Sequence, residues 1–181
     1  MKLKLFLLVL ALQCAWLLGT TFQQERALAT GKTILLETER VDPRDPLRGD
    51  YLILNYKIST VPTSLFSPPV KTNLPAGTKV FVAVRPGPDD FYVVNRASTS
   101  PFTPAADERL LRGQSNGRWW NQGSSIHVKY GLEKYFVAEG TGNPHGKLTV
   151  LAVVSASGRA TIKEVFVDGK PYAEAMRDNH P

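Results

Sequence analysis

VDPRDPLRGDYLILNYKI, residues 41–58, holds the turn and strand from which the rest of the fold is read. Pro43 and Pro46 fix the backbone on the approach, and Gly49 permits a backbone angle closed to other residues. Asp50 is placed to accept backbone N–H groups in the turn. From Tyr51 the pattern becomes period two. Leu52, Leu54, Tyr56 and Ile58 share one face, and Tyr51, Ile53, Asn55 and Lys57 share the other. One apolar face and one partly wet face predict a strand Tyr51–Ile58 in a sheet covered on one side.

The same alternation recurs along the chain. TILLET (Thr33–Thr38) reads as a first strand and IHVKY (Ile126–Tyr130) as a later one. KVFVAV (Lys79–Val84) and FYVVN (Phe91–Asn95) flank a Pro-, Gly- and Asp-rich turn. KLTVLAVVS (Lys147–Ser155) and RATIKEVFVDG (Arg159–Gly169) flank Ala-Ser-Gly, a hairpin turn in which Gly158 supplies a positive φ. The Pro-rich stretch Thr60–Lys79 reads as a surface loop, and Asn95–Asn121 as a second irregular region. Ala105–Leu111 and Leu132–Phe136 are the candidates for short helices. The sum is a mainly β domain of seven or so strands, an antiparallel sandwich or partly open barrel.

Leu5–Gly19 is an apolar run broken only by Gln13, and continuing to Phe22 it approaches the ~20 residues that cross a bilayer as a helix. Lys2 and Lys4 place its start in the cytoplasm and the rest of the chain outside. Ala27-Leu28-Ala29 has the form of a signal-peptidase site, but polar Gln23–Arg26 separate it from the apolar run. TTFQQERALA continues a helix instead, with Gly31 as its stop. The reading is an uncleaved signal anchor over residues 1–30, a β-domain over 31–175 and a tail over 176–181. Cys14, the single cysteine, excludes an intramolecular disulfide and lies mid-run as an apolar residue. Lys and Arg number 22 against 16 Asp and Glu, and the excess is scattered without a charged run, so no nucleic-acid partner is expected.

GDYLILNY fits Gly-Asp-Tyr-x-x-Leu-x-Tyr at every fixed position. The chain thereby resembles the GDYXXLXY family of bacterial membrane-anchored proteins. YGLEKYFVAEGTG (Tyr130–Gly142) is similar to a second pattern of that family, and VDGKPY (Val167–Tyr172) to its closing strand. The resemblance implies no established activity. It implies an envelope protein often encoded beside multi-pass membrane proteins, and hence a multi-pass membrane protein as partner.

The candidate site follows from the two motifs: Arg48, Gly49, Asp50, Tyr51, Leu54 and Tyr56 in the first, Tyr130, Gly131, Glu133, Tyr135, Phe136, Glu139 and Gly140 in the second. Arg40, Arg44 and Arg48 neutralise Asp42, Asp45 and Asp50, which argues for an ion-pair network rather than a cation site. No Ser lies in Glu37–Asp50, so a Ser–Lys peptidase lacks its nucleophile there. His127, His145 and His180 share no ligand spacing. Glu133 is expected to meet Arg48 or a backbone turn at the first motif, joining both motifs into one unit. Trp119 and Trp120 are candidates for surface recognition. No catalytic residue, metal or cofactor is assigned. The leading reading is a non-enzymatic accessory or interaction module of the bacterial envelope. The alternatives are an envelope hydrolase with carboxylates in a motif cleft, or a glycan-binding module.

Overall fold

In the computed structural model, Lys2–Thr30 form one helix, α1, and Gly31 is a bend that ends it where the sequence places the stop. The structure describes residues 2–39, 51–70, 74–117, 124–137, 144 and 146–178. Within α1, Lys4–Phe22 is long and apolar enough to cross a membrane, and none of it is buried against the rest of the chain. Leu12, Trp16 and Leu18 are each more than 70% exposed, so this helix needs an apolar surrounding that the β-domain does not supply.

The remainder is mainly antiparallel β, as the alternating pattern predicts. Twelve short strands occur among the described residues: β1 (Lys32–Glu39), β2 (Tyr51–Ile53), β3 (Asn55–Tyr56), β4 (Thr60–Pro62), β5 (Lys79–Pro86), β6 (Tyr92–Ser98), β7 (Arg109–Ser115), β8 (Ser125–Lys129), β9 (Lys134–Phe136), β10 (Leu148–Val154), β11 (Ala160–Val167) and β12 (Lys170–Pro171). One five-stranded sheet has the order β12-β11-β10-β1-β3, the other β4-β8-β7-β5-β6, and β2 pairs with β9 as a separate ribbon.

The two large sheets bury one shared core. Ile34, Leu36, Val150 and Val165 of the first join Val80, Val82, Leu111 and Val128 of the second in a single cluster. Backbone links then pull the sheet edges together. Leu35 of β1 bridges Phe91 just before β6, and the Arg112 N–H donates to the Gly158 carbonyl at 2.8 Å. The result lies between a sandwich and a barrel. Gly158 has φ 79° in the β10–β11 turn, and a Cβ there would sit 3.1 Å from the Leu110 carbonyl oxygen. The turn therefore requires glycine for its angle and favours it for the close approach.

Several local expectations are corrected. Tyr51–Ile58 keeps its alternation of burial but is not one strand. It divides into β2 and β3, which pair with different partners, and a 3₁₀ turn follows at Lys57–Ser59. The Pro-rich stretch contains β4 and buries Val61 and Phe66. Neither candidate helix forms. Ala105–Glu108 is a turn leading into β7, and Lys134–Phe136 is β9, because both segments find strand partners with matching apolar faces. A helix outside the expectations, α2 (Tyr172–Asp178), places Tyr172 and Met176 in the core.

The link between β6 and β7 is clasped by a carboxylate that the sequence did not single out. Glu108 is buried and receives Asn95 Nδ2 at 2.7 Å, Arg96 Nη2 at 2.7 Å and the Ala105 N–H at 2.8 Å. Arg96 also lies over the Phe102 ring, 4.6 Å from its centroid. The Arg96 bond, with the Ala105 and Asn95 donors, holds the Glu108 carboxyl down at about 2 against the opposing effect of burial. A carboxyl depressed on folding contributes stability that is complete above its unfolded pKa of about 4.3 and is lost as pH falls towards its folded value. Glu108→Gln is expected to cost about 1.5–3 kcal/mol at neutral pH, the range for hydrogen bonds to a charged group. It should also flatten the loss of stability below pH ~4. Urea unfolding at neutral and acid pH measures both.

Candidate functional site

The two sequence motifs meet across the β2–β9 ribbon. Tyr51 pairs with Phe136, Leu52 with Tyr135 and Ile53 with Lys134. Where β2 ends, the Leu54 N–H still donates to the Glu133 carbonyl at 2.9 Å. The chain then turns its edge towards β1, with Thr38 opposite Tyr56 and Glu39 opposite Asn55. Leu54 is thus the point at which the first motif changes partners, and its side chain is wholly buried.

Two tyrosines cross this junction in opposite directions. Tyr56 of the first motif donates its hydroxyl to the Leu132 carbonyl in the second at 2.8 Å. Tyr130 of the second motif donates to the Ile58 carbonyl beside the first, also at 2.8 Å. Both rings are buried, so their hydroxyls satisfy carbonyls that water reaches poorly. Burial, reinforced by the nearby Glu133 charge, pushes both hydroxyls far above their ordinary pKa. They act here as neutral donors.

Glu133 organises the turn between β8 and β9. Its carboxylate accepts the Tyr130 N–H at 2.6 Å and the Gly131 N–H at 3.0 Å. Gly131 has φ 84°, which a residue with a side chain adopts only under strain. The turn that this carboxylate holds belongs to its own, second motif and not, as expected, to the first. Arg48, Gly49 and Asp50 lie outside the described residues, as do Arg40, Asp42, Arg44, Asp45, Glu139, Gly140, Trp119, Trp120, His145 and His180.

The ribbon's other side chains divide between two faces. Tyr135 packs edge-on against Tyr172 of α2, with centroids 5.7 Å apart. Tyr51, Ile53 and Phe136 face outward. Phe136 is 75% exposed and lies 6.1 Å from the Tyr51 ring, and Lys134 Nζ lies over that ring, 5.0 Å from its centroid. His127 lies in β8, half-buried, and its imidazole is held below its ordinary pKa by burial and by Lys129. Among the described residues, no group of His, Cys, Asp or Glu is placed to hold a metal ion.

Beside the second motif opens a cleft of about 380 Å³ lined by Lys79, Arg112, Lys129, Arg159 and Glu133. Its four cations were not among the candidate site residues read from the motifs. They are spread over eighty residues, and only strand register brings them together; the shared face of Arg112 and Gln114 on β7 was the one local signal.

Fold and site define a class: an apolar N-terminal helix joined to a mainly β domain whose two motifs are fastened by crossed tyrosines. A family model described as GDYXXLXY protein matches residues 13–165, and the chain belongs to that family. No curated protein and no solved structure matches it.

Removing either hydroxyl leaves a buried carbonyl unpaired. Tyr56→Phe and Tyr130→Phe are each expected to lower stability by about 1–3 kcal/mol while the β-rich circular dichroism spectrum is retained. Chemical denaturation of the full chain in detergent measures the loss.

Proposed function

We propose that this protein is a non-enzymatic accessory module of the bacterial envelope, anchored by α1, with its β-domain outside the cytoplasm. Its partner is a multi-pass membrane protein. Lys2 and Lys4 before the apolar run support an N-terminus left in the cytoplasm. Continuity of α1 through Ala27-Leu28-Ala29 to Thr30 supports an uncleaved anchor.

One observation carries the reading. The motifs commit Tyr56, Tyr130 and Glu133 to holding backbone, while the β2–β9 ribbon turns Tyr51, Ile53 and Phe136 outward. Tyr56, Tyr130 and Glu133 are each engaged with main chain of the two motifs. Phe136, Ile53 and Tyr51 are presented to the surroundings on the same ribbon. Rigid aromatic side chains on a fixed backbone suit recognition, because little side-chain freedom is lost on binding.

A photo-crosslinking residue at position 136 of the intact protein, expressed in its own host, tests this. The expected result is a discrete adduct with a multi-pass membrane protein, absent when the crosslinker stands at Lys163 of β11. Equal labelling from both positions, or none from 136, contradicts it.

A further inference from the structure

The cleft beside the second motif has a charge imbalance that neither the fold nor the proposed partner requires. Lys79, Gln114 and Lys129 stand side by side across β5, β7 and β8, because Lys79 pairs with Gln114 and Gln114 with Lys129. Arg112 lies two residues from Gln114 on the same exposed face of β7. Arg159 is added by the β10–β11 turn, which is fastened to Arg112 through the Gly158 carbonyl at 2.8 Å.

Among the described residues, four cations therefore line one concavity with a single carboxylate, Glu133. That carboxylate is already engaged by the Tyr130 and Gly131 N–H groups. Ion pairs among the described residues join Lys57 and Lys147 to Glu37, and Arg96 to Glu108; none reaches into the cleft. A concave surface lined by one sign of charge concentrates its field on a counter-ion. Two guanidinium groups and two ammonium groups match the several oxygens of a phosphate better than a single carboxylate ligand.

Register also places the cleft near the membrane helix. α1 ends at Thr30, and Lys32 pairs with Val154, the last residue of β10. Ser155 opens the turn that carries Arg159, so the basic turn lies at the end of the sheet from which α1 departs.

We propose that this cleft is a phosphate-binding site whose ligand is the headgroup of an anionic phospholipid in the membrane that α1 enters. The phosphate chemistry stands on the cleft alone; the lipid as its source rests on the anchor reading above. Bound there, a headgroup ties the second motif, through Tyr130 and Gly131, to the bilayer surface and restrains the β-domain relative to α1.

The test uses the full chain, delipidated in neutral detergent, and native mass spectrometry. Phosphatidylglycerol is titrated against phosphatidylcholine, and inorganic phosphate and glycerol phosphate are followed separately by thermal shift at constant ionic strength. The quadruple variant K79Q/R112Q/K129Q/R159Q removes the cleft's cations. A control, R85Q/K163Q/K170Q/R177Q, removes as many from elsewhere, and the melting temperature of each variant reports folding. Phosphatidylglycerol should bind more tightly than phosphatidylcholine, and the cleft variant should weaken it by about a thousandfold, the scale expected for four basic residues at an anionic surface. The control should retain binding. Cleft-dependent stabilisation by the soluble phosphates without selective lipid binding supports the phosphate site and overturns the lipid as its source. If no phosphate species distinguishes the wild type from the cleft variant, the site itself is overturned. A variant that does not fold is replaced by the pairs K79Q/K129Q and R112Q/R159Q, each of which should lose about thirtyfold.

Discussion

Two buried phenol hydroxyls, donated in opposite directions across one junction, hold the parts of this β-domain in register. Tyr56 reaches the Leu132 carbonyl and Tyr130 the Ile58 carbonyl. Each bond adds only about 1 kcal/mol net, but an unpaired carbonyl at the same depth costs more than the bond contributes. The pair therefore acts chiefly by excluding other arrangements. A one-residue slip of either segment would turn Leu52, Leu54 and Tyr56 to the wrong face and strand both acceptors. Glu133 completes the junction by fixing the tight turn that positions Tyr130.

The neighbouring structure depends on that constraint. β2 and β3 belong to different sheets, and the chain passes between them at Leu54. Because the 3₁₀ turn after β3 is held by Tyr130, β4 starts at a defined point beside β8, with Thr60 opposite His127. The edge contacts Leu35–Phe91 and Arg112–Gly158 then draw the two large sheets around one apolar core. The surface that results has two distinct features close to the second motif: an outward aromatic patch at Tyr51 and Phe136, and a basic cleft at Lys79, Arg112, Lys129 and Arg159.

Much of the architecture was legible because its signals are local. Alternation in TILLET, KVFVAV and KLTVLAVVS marks strands whose apolar faces are buried, and Gly158 marks its turn by chemistry alone. The extent of α1 follows from an apolar run, helix-forming polar residues and Gly31. Features set by distant pairing were less visible. Periodicity runs unbroken through Leu54, yet the hydrogen-bond partner changes there, and no local property of LIL announces it. Leu132–Phe136 carries helix-compatible residues, but Tyr51–Ile53 recruits its last three into a strand. Glu108 looks like any charge in an irregular stretch until Asn95, Arg96 and the Ala105 amide converge on it. The four cleft cations read as a scattered basic excess for the same reason.

Tyr56 and Tyr130 stand in motifs legible in the sequence, but their hydroxyl partners lie more than seventy residues away. That distance makes the junction a test of cooperativity rather than of local structure. Native-state hydrogen exchange of the full chain in detergent measures it directly. If the crossed tyrosines fasten the motifs into one unit, the amides of Leu54 and Tyr130 exchange only through a common opening, with equal dependence on denaturant and with protection close to that of β5 and β10. Independent opening of the β2–β9 ribbon, with Leu54 or Tyr130 exchanging well before the two large sheets, would contradict it.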